Sequence, residues 1–412
     1  MASPLVKTKL FVPRLRRSVV ARPRLSERLG RGAETRLTLI SAPAGFGKTT
    51  LLAEWLAATA ADDRSVAWVS LEESDSQAGS FWTYVIAALQ TVVPDVGAGV
   101  LPLLQSAQPP IETVLATVLN ELGTVPDEIH LVLDDYHLVD GPDIQAGMVF
   151  LLEHLPPHVH LVVSTRADPA LPLARLRALG QLVEVRAADL RFTVNEATAY
   201  LTDVGGLALT AHDIAALEAR TEGWIAALQL AALSMQGRTD VAGFIAGFAG
   251  DDRYIVDYLV EEVLRRQPDD VRTFLLRTSI LERLSGSLCD AVTAQSGGKA
   301  TLEALDRANL FVIPLDDNRR WYRYHHLFAD VLRAHLLDER AVEVSDLHRR
   351  ASRWYEEDGQ PSPAIRHALA APDVERAAGL VELAIPALRR DRQEATIRRW
   401  LDALPGEVVR VR

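Results

Sequence analysis

The sequence predicts a parallel α/β sheet with helices on both faces, then an all-α helical domain, a winged-helix domain and the start of an α-helical repeat. Three observations carry that expectation. Short β-branched apolar runs alternate with helical patterns up to about residue 190; the strand signal then fades; and one late pair of strand-like stretches follows two helices.

The strand-like runs are 36–41, 65–70, 129–133, 160–165 and 182–185, and between them 51–60, 81–89, 111–122 and 144–155 carry helical spacing. Strand–helix alternation implies crossovers, hence parallel pairing. The runs are almost wholly apolar, which suits strands covered by helices on both sides. Beyond them, 194–202, 212–220, 224–235, 255–266 and 271–278 read as helices. Stretches 310–315 and 320–324 flank the turn Asp316-Asp317-Asn318, and helix–helix–hairpin is the order of a winged helix. From Val344 the chain is helical again, broken at 359–363 and 371–372. Ala364, His367, Ala368, Ala377, Ala378 and Leu380 are small or apolar, as stacked helical hairpins require. The expected domains are therefore an arm at 1–35, the α/β domain at 36–192, a helical domain at 193–276, the winged helix at 277–340 and a repeat arm at 341–412. After the turn Pro405-Gly406 a new helix begins, and one or two hairpins cannot bury their own face, so the repeat reads as truncated.

A chain of 412 residues with 48% hydrophobic and 24% charged side chains has material for several globular cores. The single cysteine, Cys289, excludes an internal disulfide and a thiolate metal cluster. No apolar run reaches the ~18 residues of a membrane span, and the first residues lack a signal-peptide core, so no membrane contact and a cytoplasmic location are expected. Charge is uneven. The first 31 residues hold nine basic side chains against Glu27 alone, which leaves 35 basic and 54 acidic residues in a remainder of net −19. So acidic a body repels nucleic acid, and no DNA contact is expected from this segment. The basic start reads either as a solvated arm or as an approach to bound phosphate. Lysine occurs only at positions 7, 9, 48 and 299, and arginine supplies the other 40 positive charges. A lysine inside a glycine-rich loop then stands out as a required ammonium.

That loop is Ala42-Pro43-Ala44-Gly45-Phe46-Gly47-Lys48-Thr49-Thr50, directly after a strand and opening a helix. It fits the phosphate-binding loop of the P-loop NTPases, with Ala42 replacing the first glycine. Gly45 and Gly47 let backbone amides turn inward as an anion nest, and the helix N-terminus adds partial positive charge. Lys48 would reach the β and γ phosphates of ATP, and the Thr49 hydroxyl would ligate Mg2+. In Ile129-His130-Leu131-Val132-Leu133-Asp134-Asp135-Tyr136 an apolar strand ends in two carboxylates at the ligand-binding edge of a sheet. Asp134 suits the magnesium ion and Asp135 the attacking water, although an Asp-Asp pair is also a common turn start. The strand ending Ser164-Thr165 delivers Arg166 to the same edge, either as a γ-phosphate sensor or as an ion pair with Asp168. His325-His326 after the hairpin makes a poor metal site, because adjacent helical residues project ~100° apart and no third ligand is evident. By pattern it is a surface-and-core pair.

Together these segments resemble the maltose-regulon activator (MalT) family, LuxR-type ATP-binding regulators within the signal-transduction ATPases with numerous domains (STAND). The resemblance rests on Thr8-Lys9-Leu10-Phe11-Val12-Pro13, Val20-Ala21-Arg22-Pro23-Arg24-Leu25 and the loop itself. Further matches are Trp68-Val69-Ser70-Leu71-Glu72, Leu133-Asp134-Asp135-Tyr136-His137, Ser164-Thr165-Arg166-Ala167-Asp168-Pro169, Ala188-Asp189-Leu190-Arg191-Phe192, Thr221-Glu222-Gly223-Trp224 and Trp321-Tyr322-Arg323-Tyr324-His325-His326-Leu327-Phe328. It runs from Thr8 to about Pro405. The resemblance implies that Val20 and Arg22 lie beside the adenine and ribose. It also implies that His325 holds the place of the histidine in the Met-His-Asp motif, touching the β phosphate of ADP; His326 replaces the aspartate. Where relatives carry Gly-x-Pro against the adenine, this chain has Gly223-Trp224-Ile225, so Ile225 offers apolar contact without fixed proline geometry.

The implied activity is a signalling switch. ADP holds a closed form, ATP with an inducer favours an open self-associating form, and slow hydrolysis resets it. The inducer would act through a long TPR-like sensor, and a helix-turn-helix domain would follow; this chain has neither in full. The rival from the enzyme class is a P-loop kinase or metabolic ATPase with a small-molecule acceptor, against which no lid-type arginine cluster or second substrate motif is found. A third reading makes the nucleotide purely structural.

Overall fold

The computed structural model describes residues 5–14, 19–58, 65–105, 110–139, 141–236, 240–248, 252–390, 398 and 400–404. The chain forms two compact units, Met1–Ala246 and Gly247–Arg412. The turn at Pro405-Gly406 and the helix expected after it lie outside the described residues.

The first unit is built on five parallel strands, β1 (Leu37–Ser41), β2 (Ser65–Ser70), β3 (Ile129–Asp134), β4 (Val159–Thr165) and β5 (Leu182–Arg186), in the spatial order β2-β3-β4-β1-β5. Every residue of β1, β3 and β4 is buried, which is why these strands read as unbroken apolar runs. Helices α1 (Pro23–Gly30), α2 (Lys48–Ala58), α3 (Ala78–Gln90), α4 (Ile111–Leu122), α5 (Pro142–His154) and α6 (Leu173–Ala178) surround or connect them. The core packs Phe81, Trp82, Val114, Val118, Ile144 and Met148 against the strands. Then follow α7 (Ala187–Leu190), α8 (Val194–Thr198), α9 (Ala211–Thr221), α10 (Ile225–Met235) and α11 (Val241–Gly247). The helix expected at 194–202 ends as α-helix at Thr198 and continues as a π-helical stretch, Ala199–Val204.

The basic arm is not a solvated tail where it is described. The Lys9 ammonium is buried against Asp75 (2.9 Å), with Glu72 at 2.9 Å and the Tyr84 ring 4.8 Å away. These partners hold its pKa above the ordinary lysine value even though burial alone pulls it down. Arg24 and Arg28 bond Glu196 and Asp189. Lys9, Arg22, Arg24 and Arg28 are thus matched to acids supplied much later in the sequence.

The second unit contains α12 (Arg253–Glu262), α13 (Asp269–Thr278), α14 (Gly286–Thr293) and α15 (Gly298–Arg307), then an antiparallel pair, β6 (Val312–Pro314) and β7 (Tyr322–Tyr324). A bridge from Leu284 to Tyr322 extends that pair, so helices and hairpin share one core containing Leu288, Leu302, Tyr324 and Phe328. The helix expected at 255–266 is interrupted at Val263 (φ −121°) and finishes as a 3-10 turn, Leu264–Arg266. From His326 one long helix, α16 (His326–Glu357), runs on with a kink at Arg340 (φ −140°). It packs on α17 (Pro361–Ala370), which leads to α18 (Val374–Arg390). Buried Ala351, Ala364 and Ala368 allow close approach, and Ser352 donates to the Ala364 carbonyl at 2.8 Å. Among the described residues no helix is long and apolar enough to cross a membrane.

Candidate functional site

The strand order decides what meets at the C-terminal edge of the first unit's sheet. β4 lies between β1 and β3, so the ends of three strands converge: the loop 42–47 after β1, Asp134 on β3, and Ser164-Thr165 on β4 with Arg166 directly after it. Ser41 is paired with Thr165 in register, and Leu133 with Val163.

Gly45 (φ 74°) and Gly47 (φ 76°) both adopt the left-handed conformation, the alternation that makes an amide nest. Lys48 opens α2 and is buried; its ammonium donates to the carbonyls of Ala42 (3.0 Å) and Pro43 (3.1 Å). Burial pulls its pKa down to about 8, with Asp135 opposing and the Arg166 charge assisting. The Thr49 hydroxyl donates to the Asp134 carboxylate at 2.9 Å, and Ser164 donates to it at 2.5 Å. Asp134 is buried, and that burial, with Asp135 beside it, raises its pKa, while the bonds from Ser164 and Thr49 and the Lys48 charge work the other way. Asp135 is left-handed (φ 57°), and its side chain is 41% exposed, with His137 Nδ1 3.8 Å away. The two adjacent carboxylates therefore differ: one is sequestered by hydroxyls, the other opens to solvent. Asp168 bonds Arg186 and accepts from the Ser41 hydroxyl (3.0 Å).

The loop is braced from the helical side of the same unit. Trp224 Nε1 donates to the Ala44 carbonyl (3.1 Å), the Ala226 amide donates to the Gly45 carbonyl (3.1 Å), and the Trp224 ring stacks on Phe46. Ile225 lies over Gly47, with its Cγ2 3.7 Å from where a Cβ would sit. Ala44 and Phe46 are thus buried, whereas Thr50 is exposed on α2. Gly223 (φ 68°) makes the turn into α10, and its carbonyl accepts from the Phe192 amide at 2.8 Å. Val20 is half-buried at the start of the arm. Arg22 is buried; its guanidinium donates to the carbonyls of Leu190 (2.7 Å) and Arg191 (3.1 Å) and lies 4.8 Å over the Phe192 ring. Any contact of Arg22 with a base falls to its backbone.

His325, in the second unit, caps α16 and is buried with its ring edge-on to Phe311, while His326 is exposed. Two contributors carry no role in the sequence reading: Ser164 and Trp224. Their signals were a hydroxyl at the end of the strand directly after the apolar run 161–163, and an indole directly beside the Ile225 position.

Residues 260–344 match the MalT winged helix domain. Over 408 residues, 99% of this chain, the sequence is 36% identical to the serine/threonine-protein kinase PknK of Mycobacterium tuberculosis, of which it covers 37%. Over 372 residues, 90% of this chain, it is 37% identical to the HTH-type transcriptional regulator MalT of Klebsiella pneumoniae, of which it covers 41%. Over nearly all of its length the chain is thus MalT/PknK-like, at about 36% identity. It spans about two fifths of the length of these MalT and PknK relatives. Among solved structures, a Walker-type ATPase of Pyrococcus abyssi aligns over 77% of this chain and 97% of its own, with a TM-score of 0.52 at 16% identity, a likeness of fold. The MalT/PknK-like chain thus carries a five-stranded parallel P-loop domain followed by helices and a MalT-type winged helix.

Proposed function

We propose that this MalT/PknK-like region is a nucleotide-operated switch that binds ATP or ADP at the loop 42–50. The observation that carries the reading is the convergence of Lys48, Thr49, Asp134 and Ser164 on a loop whose two glycines are both left-handed. Ala44, Gly45, Phe46, Gly47, Lys48, Thr49 and Thr50 would surround the phosphates, with Lys48 turning from its loop carbonyls to a phosphate oxygen. A hydroxyl and a carboxylate 2.9 Å apart beside the nest fit a hard cation, so Thr49 and Asp134 would hold Mg2+. When bound, that ion supplies charge neutralisation at the β and γ phosphates. Asp135, the exposed carboxylate, would orient the attacking water, and Arg166 would sense the γ phosphate. Val20, the backbone at Arg22, and Ile225 would line the base. His325 would be the histidine that senses ADP, the role the resemblance gives it.

In this scheme ADP holds the resting form, ATP with an inducer favours a self-associating form, and slow hydrolysis resets it. The parts of MalT and PknK that this chain does not span would supply inducer sensing and output. The PknK kinase activity belongs to that whole protein and is not assigned here. Small-angle scattering of the chain with ADP and with a non-hydrolysable ATP analogue tests the switch. The scheme expects a more open or associated form with the analogue, and His325→Ala should shift the ADP-bound sample the same way. Superimposable profiles for the two nucleotides would reduce the nucleotide to a structural ligand.

A further inference from the structure

We infer that Trp224 is a positioning residue of the phosphate loop, acting with the backbone amide of Ala226 to fix which way the loop's amides point. The inference rests on the reading of 42–50 as the nucleotide site.

Gly45 and Gly47 are the residues least able to hold one conformation by themselves, since glycine populates both signs of φ readily. Something outside the loop must choose. A peptide unit is planar, and none among the described residues is cis, so each C=O points opposite to the N–H of the next residue. The Ala44 carbonyl accepts from the Trp224 indole (3.1 Å), which sends the Gly45 N–H away from Trp224. The Gly45 carbonyl accepts from the Ala226 amide (3.1 Å), which sends the Phe46 N–H away from α10. Two successive amides are therefore aimed together by two successive donors. The stack of Trp224 on Phe46 locks the same peptide from its side chain.

The brace is itself held rigid. Trp224 is fully buried, its amide donates to the Thr221 carbonyl (2.9 Å), and the preceding Gly223 carbonyl accepts from Phe192 (2.8 Å). A shift of the turn 221–226 would release the carbonyls of Ala44 and Gly45, letting these peptides rotate and dissolve the nest. Trp224 touches no phosphate. It acts through the loop backbone.

Trp224→Phe keeps a ring against Phe46 and deletes only the donor. Ala226→Pro deletes the second donor in the first turn of a helix, where proline is tolerated. Calorimetric titration of ADP and of adenosine into each variant, with Lys48→Ala alongside, is the test. ADP affinity should fall ~5–10-fold, the worth of one hydrogen bond, while adenosine affinity stays as in the parent, because only the phosphate-facing amides are disturbed. An equal loss for ADP and adenosine would mean that Trp224 is ordinary packing. Parent-like ADP binding in both variants, with Lys48→Ala defective, would overturn the positioning role alone. Parent-like ADP binding in Lys48→Ala would overturn the nucleotide reading beneath it.

Discussion

Gly223→Ala tests whether the turn that carries Trp224 is fixed by close backbone approach. Gly223 has φ 68°, and a Cβ there would sit 2.5 Å from the Phe192 carbonyl oxygen, 2.8 Å from the Phe192 nitrogen and 3.1 Å from the Arg191 Cβ. Placing alanine in the left-handed region costs ~1–2 kcal/mol. The colliding atoms are backbone and cannot rotate aside, so the turn must move, an overpacking cost of ~1–3 kcal/mol. Movement lengthens the Phe192–Gly223 hydrogen bond, worth ~0.5–1.5 kcal/mol. Together these weaken the first unit by ~2.5–6.5 kcal/mol, a large share of the ~5–15 kcal/mol of a typical domain. Gly206→Ala is the control, because Gly206 has a similar φ of 65° and nothing within 4 Å of its would-be Cβ. In scanning calorimetry, Gly223→Ala should lower the first unit's transition by ~5–26 °C and Gly206→Ala by only ~2–8 °C. Equal shifts in the two variants would refute the close-approach argument.

Three further outcomes follow from the same geometry. Asp135→Asn should bind ATP like the parent and lose hydrolysis, whereas Asp134→Ala should weaken magnesium-dependent binding; equal ATPase rates in Asp135→Asn and parent would remove the role of Asp135. Lys48 carries a pKa of about 8, and a bound phosphate stabilises its ammonium. ADP affinity should therefore be level below pH 8 and fall by up to ~10-fold per pH unit above it, with proton uptake on binding in that window; a flat profile from pH 7 to 9.5 would contradict this. In the second unit, His348 Nδ1 and His367 Nδ1 share a hydrogen bond at 2.8 Å, and burial holds His367 down at about 3 and His348 below its ordinary value. With an unfolded value of 6.5, the stability of that unit should be full above pH 6.5 and fall as pH drops toward 3, by up to ~1.4 kcal/mol per pH unit for one site. Urea melts of His367→Phe, which keeps a ring against Tyr355, should show a shallower slope, and an unchanged slope would sink that assignment.

The sheet strands were legible because the buried central ones, β1, β3 and β4, are mostly apolar: β2 and the helix Ile111–Leu122 fall on the expected bounds, and the other strands of that sheet shift by one residue at an end. The loop, Lys48, Thr49 and Asp134 were legible because the chemistry needs those types at that spacing. Ser164 was not. Its role depends on β4 lying between β1 and β3, and strand order is set by crossovers that leave no mark on composition. Trp224 is a fully buried core residue; what makes it matter is which carbonyl its N–H finds, 180 residues earlier. The arm stayed open between a solvated tail and an approach to phosphate because its partners, Asp75, Asp189 and Glu196, lie 66 to 172 residues away along the chain. The π-helical stretch at Ala199–Val204 and the break at Val263 escaped because apolar periodicity at 3.6 residues continues across both.

Nucleotide binding at 42–50 underlies every role proposed for this MalT/PknK-like region. Calorimetric titration of ADP into the parent chain and into Lys48→Ala tests it most directly. The account predicts tight one-to-one binding by the parent and, in a variant that remains folded, loss of at least the ~1.5–3 kcal/mol of one charge-assisted contact, roughly ten- to a hundredfold. A folded Lys48→Ala that binds ADP as tightly as the parent would contradict it.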